Sequence, residues 1–105
     1  MANSENKAQK VLSLLGLARR AGKLSMGHDS VKKDLLQRRA KLVIFTADAS
    51  DRLKSEINFL IEKNKLKVDV MELGATMNDM QFSVGKAVAV FAVTDENFAN
   101  GIKGC

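Results

Sequence analysis

The sequence predicts an α/β fold, a three-layer α/β/α sandwich with a four-stranded mixed sheet. Segments with helical periodicity alternate along the chain with short apolar segments, which is typical of a sheet covered by helices. Two of the apolar segments, residues 42–45 and 87–93, are continuous runs rather than alternating ones. Continuous runs indicate strands that are buried on both faces, because a strand with one face in water alternates apolar and polar residues.

Each predicted element follows from a local pattern. Val11 and Leu15 fall on one face of the first helix, and Gly22 ends it. Thr76 and Asp79 have the spacing of a capping box at the start of a short helix. The predicted elements, in chain order, are a helix over about residues 5–21, a strand over 24–26, a helix from 27 to about 38, a strand over 42–45, a helix over about 50–64, a strand over about 67–72, a helix over about 77–84, a strand over 87–93 and a helix over about 95–102.

Composition is that of a soluble globular protein. The 105 residues predict one domain, residues 1–105, and the 46% hydrophobic and 28% charged residues are close to the averages for folded domains. No apolar stretch approaches the roughly 20 residues that cross a membrane, and residues 1–7 lack the apolar core of a secretion signal. Cys105 is the only cysteine, so an internal disulfide is excluded. We therefore expect a cytoplasmic monomer that binds no membrane, metal or cofactor.

Positive charge is concentrated in the first two-fifths of the chain. The formal net charge is +5, and residues 1–41 contain ten lysines and arginines against three acidic residues. A polyanion that docks on such a surface releases counterions, which is how basic proteins gain salt-sensitive affinity for nucleic acid. The alternative is a solvated basic face that serves solubility, and charge alone leaves both interpretations open.

Few residues suggest an enzyme. His28 is the only histidine, and the seven glycines do not form a phosphate-binding loop of either common spacing. Asp48 and Asp51 follow a predicted buried strand and lead into a helix, a position where open α/β sheets often place ligand sites. Asp48 therefore has two interpretations, a phosphoacceptor or ligand carboxylate, or a helix cap formed by Asp48 or Ser50.

The start of the second helix has the chemistry of a phosphate site. Gly27 allows another backbone to approach closely, and the first-turn amides together with Lys32 and Lys33 suit a phosphate. Asp29 is interpreted either as an acceptor for guanine edges or as an ordinary N-terminal helix cap.

Aromatic residues do not predict a base-stacking sheet. The phenylalanines predicted to lie in apolar faces are Phe45, Phe59 and Phe91, and those left for the surface are Phe82 and Phe98. A second alternative to RNA binding is a protein-interaction module whose apolar surface is formed by Met77, Met80 and Phe82.

Several segments together resemble a known family. They are residues 14–23 (LLGLARRAGK), 27–33 (GHDSVKK), 40–44 (AKLVI), 47–50 (ADAS), 84–86 (VGK) and 93–95 (VTD). In this order and spacing the chain resembles the ribosomal protein superfamily that binds kink-turn RNA, and it is most similar to the small bacterial YlxQ-like members. The resemblance covers about residues 12–102.

The resemblance implies a non-catalytic protein that binds an internally kinked RNA helix with tandem sheared G·A pairs. In the family the second helix starts with a Gly-x-Asn-Glu-x-x-Lys pattern that reads the guanines. Gly27 and Lys33 match this pattern, whereas Asp29 stands for Asn and Ser30 for Glu. Residues 74–77 correspond to the loop that packs on an extruded nucleotide.

Because Asp29 and Ser30 depart from the family pattern, the more cautious prediction is loosely specific binding to ribosomal RNA. The cations expected to drive it are Arg19, Arg20, Lys23, Lys32, Lys33, Arg38 and Arg39. Asp29 accepts hydrogen bonds but lacks the amide donor of Asn, and it adds negative charge near phosphates. The predicted RNA-binding residues are Gly27, His28, Asp29, Ser30, Lys32, Lys33, Ala47, Asp48, Thr76, Met77, Arg19, Arg20 and Lys23. The expected partner is structured RNA, either ribosomal RNA or a kink-turn, with the ribosome as a further partner.

Overall fold

The computed structural model describes residues 4–104, with side chains from residue 9 onward. Cys105, the only cysteine, lies outside the described residues. Helices and strands alternate as the sequence predicts. In chain order they are α1 (Ser4–Arg20), β1 (Leu24–Met26), α2 (His28–Leu36), β2 (Leu42–Phe45), α3 (Asp51–Lys63), β3 (Asp69–Glu72), α4 (Met77–Val84), β4 (Val90–Val93) and α5 (Glu96–Lys103).

The described strands form a mixed sheet in the order β1-β4-β2-β3. Strand β4 is antiparallel to both β1 and β2, whereas β2 and β3 are parallel. The predicted fold class is therefore confirmed. The last strand is shorter than predicted, because its partners end early: Met26 lies opposite Phe91 and Phe45 lies opposite Val90. Residues 87–89 continue the apolar run beyond the strand.

Helices cover the sheet on both faces. On one face, α1, α4 and α5 pack on a core that includes Leu15, Ile44 and Met80. On the other face, α2 and α3 pack on a core that includes Val43 and Ile57. Because neighbouring strand residues point to opposite faces, Val43 and Ile44 belong to different cores. All residues of β2 and β4 are buried, which confirms the interpretation for residues 42–45 and 90–93. In the first part of the second run, Ala87 is exposed and Val88 and Ala89 are half-buried.

Helix caps agree with the sequence pattern at two of three positions. Thr76 and Asp79 form both hydrogen bonds of a capping box, and the Ser50 hydroxyl accepts from the Leu53 amide at 3.1 Å. The interpretation of Asp29 as a cap is wrong, because the N-cap of α2 is Gly27 and this helix start has no side-chain cap among the described residues. Asp29 lies inside the first turn, where its carboxylate does not reach the amides as an N-cap side chain does.

Candidate functional site

Three strands end, and three helices begin, at one end of the sheet. The register pairs Phe45 with both Val90 and Glu72, and Met26 with Phe91. The C-terminal ends of β1, β2 and β3 therefore lie together, and α2, α3 and α4 start within a few residues of them. We call this region the helix-start end, defined by residues 27–30, 46–48 and 75–77. Helix N-termini carry partial positive charge and free amides, and at the start of α2, which has no side-chain cap hydrogen bond, these amides suit an anion.

Gly27 sets the approach to α2. Its φ of 93° and ψ of 163° lie in a region that only glycine adopts readily, and its amide donates to the Val90 carbonyl at 3.0 Å. A Cβ at this position would lie 3.8 Å from the Val88 side chain, an ordinary contact, so the constraint is the backbone conformation and not lack of space. The sequence did not predict that Val88 lies beside Gly27, because its place in an apolar run does not indicate this contact.

The first turn of α2 divides into an exposed part and a part that faces α3. Asp29, Ser30 and Lys33 are exposed. His28 is half-buried, and its Nδ1 and Nε2 lie 3.6 Å from an Asp29 carboxylate oxygen and 3.3 Å from a Glu56 carboxylate oxygen, respectively. Within the described residues, His28 Nε2 is buried without forming a hydrogen bond. The His28 ring therefore lies between α2 and α3, whereas the next two residues are free to meet a ligand.

Asp48 joins the loop after β2 to the start of α4. Its Oδ1 accepts from the Thr46 hydroxyl at 2.8 Å and from the Met77 amide at 3.1 Å. The Thr46 hydrogen bond is the main reason that the pKa of Asp48 is lowered from its ordinary value. Burial opposes this shift, and the hydrogen bond from the Met77 amide lowers the pKa further. Asp48 is thus a cap, but it caps α4 across the chain, while Ser50 caps α3.

The loop before α4 is held beside Asp48 by its backbone. The Ala47 amide donates to the Ala75 carbonyl at 2.8 Å. Gly74 is exposed, and Thr76 and Met77 are half-buried. The structure therefore brings the predicted residues Ala47, Asp48, Thr76 and Met77 next to one another and onto the same end of the sheet as Gly27.

Three predicted basic residues lie elsewhere. The Lys23 carbonyl accepts from the Thr94 amide at 3.0 Å, which places Lys23 beside the C-terminal end of β4, opposite the helix-start end. Arg19 and Arg20 form the last turn of α1, and the Arg19 guanidinium lies near Gly85 at the end of α4. Arg19, Arg20 and Lys23 are close to Gly27 in sequence, but β1 separates them from Gly27 in the structure. Lys32 and Lys33 are exposed on α2 itself.

Two predictions about apolar side chains are wrong. Phe59 is 63% exposed, because it lies off the helical stripe formed by Leu53, Ile57 and Leu60. Met80 is fully buried in the core, so the apolar surface predicted from Met77, Met80 and Phe82 does not form. Phe82 is 86% exposed, as expected, and Phe98 is half-buried.

The described residues carry neither a membrane span nor a metal-ligand cluster. None of the helices between residues 4 and 104 has the length and hydropathy to cross a membrane. The same part of the chain contains no group of three or more His, Cys, Asp or Glu residues arranged to hold a metal ion.

Comparison with known proteins gives consistent matches. Residues 9–100 match the Ribosomal protein L7Ae/L30e/S12e/Gadd45 family. The RNA-binding protein YlxQ of Bacillus subtilis (strain 168) is 41% identical over 88 residues, which cover 83% of this chain and 85% of that protein. The large ribosomal subunit protein eL30 of Eremothecium gossypii is 36% identical over 92 residues, covering 88% and 82%. The fold is shared with the Giardia lamblia 15.5kD RNA binding protein (TM-score 0.71, 18% identity, 99% of this chain and 87% of that one).

Proposed function

Because the chain belongs to the L7Ae/L30e/S12e/Gadd45 family of ribosomal proteins, we propose that it binds a kinked, structured RNA such as a kink-turn in ribosomal RNA. Its relatives are RNA-binding and ribosomal proteins, so the prediction that it is not an enzyme is confirmed. The observation that carries the proposal is the exposed, uncapped start of α2, with Lys33 one turn beyond Asp29.

Each part of the helix-start end has a role in the proposed complex. Gly27 has no side chain, so its backbone admits the RNA closely, and its positive φ disfavours any other residue at this position. Asp29 and Ser30 accept hydrogen bonds from the guanines of the sheared pairs, and the amides of the first turn face phosphate. The loop of residues 74–77, held in place by Asp48, packs on an extruded nucleotide.

The proposed mode separates affinity from specificity. Lys33 and Lys32 contribute phosphate contacts, which are sensitive to salt and independent of sequence. The bent shape of the RNA and the contacts of Asp29 and Ser30 select the kinked site. We further propose that the chain acts as one domain and one monomer in the cytoplasm, with the ribosome as its setting.

Substitution of Lys33 tests the mode directly. We expect Lys33→Ala to weaken binding of an RNA hairpin with tandem G·A pairs and to reduce the slope of log affinity against log salt by about one. Fluorescence anisotropy between about 50 and 200 mM KCl measures both quantities.

A matched protein and a matched RNA complete the test. Lys10→Ala removes an exposed cation of α1 and is expected to leave affinity within about twofold, since it removes no proposed contact. The same hairpin with Watson–Crick pairs in place of the G·A pairs is expected to bind more weakly. Equal affinity for both hairpins, or no effect of Lys33→Ala, contradicts the proposed site.

A further inference from the structure

Four basic side chains from two segments of the chain meet at the end of the sheet opposite the helix-start end. The four side chains are exposed and line a cleft of about 270 Å³, which we call the basic cleft. They belong to Arg38, Lys41, Lys65 and Lys67. The apolar residues that complete its lining are Leu35, Ala40 and Leu66. Among the described residues, no carboxylate lines the cleft.

Topology explains why these residues meet. Helices α2 and α3 both end at this end of the sheet, and the parallel strands β2 and β3 both begin there, with Leu42 opposite Asp69. The two connections that turn from helix to strand therefore lie side by side. The 9 residues of α2 separate the basic cleft from the helix-start end, a distance of about 13 Å along a helix.

Among the described residues, the Arg38 guanidinium donates to the Asn64 carbonyl at 3.3 Å, but the four cations of the cleft are not neutralised by a carboxylate. In the part of the chain that the structure describes, none of them has a carboxylate within ion-pair distance. By contrast, Lys54 pairs with Glu72 at 3.2 Å and Lys103 pairs with Asp69 at 2.7 Å. Clustered like charges destabilise a folded chain unless an anion is bound between them.

The backbone at two of these residues adds a second observation. Arg38 (φ 59°) and Lys65 (φ 51°) are the described non-glycine residues with positive φ. Each follows the C-cap residue of its helix, where glycine or asparagine adopts this conformation most readily. The sequence places long cationic side chains at both positions, and both line the same cleft. A long cationic side chain therefore occupies each position, although the left-handed backbone conformation there favours glycine.

We propose that the basic cleft is a second RNA-binding site, which holds the phosphate backbone of a helical RNA segment. The cleft is lined by cations and a small apolar floor, without an aromatic ring among the described residues on which an unpaired base stacks, so backbone contact is the mode that fits it. The proposal relies on the proposed function for the chemical class of its ligand. With sites at both ends of the sheet, the protein holds two RNA segments at once.

A double substitution tests the cleft without disturbing the helix-start end. We expect K65Q/K67Q to weaken binding of a short blunt RNA duplex, free of internal loops, by about tenfold at low salt. The salt slope is expected to fall by about two, because each of the two lysines is proposed to neutralise one phosphate. R38Q/K41Q is expected to have the same effect on duplex affinity and salt slope. It provides a second test of the cleft if K65Q/K67Q folds poorly.

The control variant K10Q/K63Q removes the same net charge outside the cleft. Lys63 is two residues from Lys65, but its ammonium lies 5.9 Å from the centre of the Phe59 ring. This variant is expected to keep duplex affinity within about twofold. A decrease equal to that of K65Q/K67Q shows that binding follows net charge, which overturns the cleft. Unchanged duplex affinity in both cleft variants also overturns it.

A kinked hairpin with tandem G·A pairs separates the two proposals. The cleft variants are expected to bind this hairpin within about twofold of the unsubstituted protein, because their substitutions lie at the other end of the sheet. If the hairpin is not bound but the cleft variants still weaken duplex binding, the proposed function fails and the cleft stands. If the hairpin is bound but the cleft variants bind duplex normally, the proposed function stands and the cleft fails.

Basic residues at helix C-termini also interact favourably with the helix dipole, which gives the cleft a purely structural explanation. Thermal unfolding of the same variants decides between the two. An RNA-binding cleft is expected to leave the midpoint of K65Q/K67Q equal to or above that of the unsubstituted protein. A lower midpoint together with normal duplex binding assigns these cations to the stability of α2 and α3 and overturns the proposal.

Discussion

Two residues hold the helix-start end in shape by different physical means. Gly27 supplies a backbone conformation that side-chain-bearing residues adopt only with strain. One carboxylate oxygen of Asp48 accepts a hydrogen bond from the Thr46 hydroxyl in its own loop and another from the Met77 amide at the start of α4. Because the Asp48 Oδ1 accepts two hydrogen bonds, the charged form of Asp48 stabilises the arrangement of the two loops.

Acid is expected to remove the contribution of Asp48. The folded-state pKa of this carboxyl is held below its ordinary value of 3.8, so the stabilisation is complete above that value and is lost as the pH falls through the lower, folded-state pKa. We expect Asp48→Asn to lower the thermal midpoint at about pH 6, and the difference from the unsubstituted protein to shrink below about pH 4.

Thermal unfolding followed by circular dichroism at several pH values measures this difference. Asn58→Ala removes an exposed side chain of α3 that does not titrate and serves as the control, with the same difference from the unsubstituted protein expected at each pH. If the difference in thermal midpoint between Asp48→Asn and the unsubstituted protein stays constant down to about pH 2, the role of the charged carboxylate is contradicted.

At the scale of elements, the ends of the helices determine the chemistry of each end of the sheet. At one end, the start of α2 leaves its amides without a side-chain cap, whereas side chains cap the starts of α3 and α4. At the other end, the ends of α2 and α3 bring carbonyls and cations together. Helix α3 illustrates the second case. Asn64 is its C-cap, and its side chain donates to the Leu60 carbonyl at 2.9 Å, while Lys65 turns the chain with a positive φ.

Replacement of Lys65 by glycine is expected to stabilise the protein. A non-glycine residue in the left-handed region costs about 1–2 kcal/mol, and the greater unfolded-state freedom of glycine offsets part of the relief. We therefore expect Lys65→Gly to raise the free energy of unfolding by about 0.5–1 kcal/mol. Urea unfolding measures this quantity.

The same substitution two residues earlier has the opposite expected sign. Lys63 is the last residue of α3, where helical backbone is retained, and glycine at a helical position costs up to about 1 kcal/mol. Equal effects of Lys63→Gly and Lys65→Gly would show that the left-handed turn after α3 carries no strain.

The sequence predicts more of the architecture than of the site, for reasons that individual residues make clear. The burial of β2 and β4 follows from composition alone, since a continuous apolar run needs cover on both faces. The cap predicted at Asp29 is wrong because the start of α2 depends on the backbone at Gly27, which local spacing does not encode.

Long-range placement is the part that sequence patterns do not contain. Lys23 is four residues from Gly27 but lies beyond the other end of β1. Arg38 and Lys65 are far apart in the chain but line one cleft, because two parallel strands start side by side. The excess of basic residues in the first two-fifths of the sequence is therefore not one surface, and its division between two ends of the sheet is visible only in the fold.

At the scale of the whole molecule, this charge distribution predicts how stability responds to salt. The net charge is +5, and among the described residues the cations of the basic cleft repel one another without a carboxylate partner. Salt screens that repulsion, because the Debye length falls from about 30 Å at 0.01 M to about 8 Å at 0.15 M. Salt also weakens the ion pairs of Lys54 and Lys103, but exposed pairs contribute only about 0–1 kcal/mol each. We expect repulsion to dominate.

The thermal midpoint is therefore expected to rise by a few degrees between about 10 and 200 mM KCl, since about 1 kcal/mol shifts the midpoint of a domain this size by roughly 4–8 °C. K65Q/K67Q is expected to start from a higher midpoint and rise less, because it lacks two of the four repelling charges. K10Q/K63Q, with the same net charge, is expected to rise more than the cleft variant. A midpoint that falls with salt would mean that the two ion pairs outweigh the cleft, and it would remove the electrostatic reason for an anion to bind there.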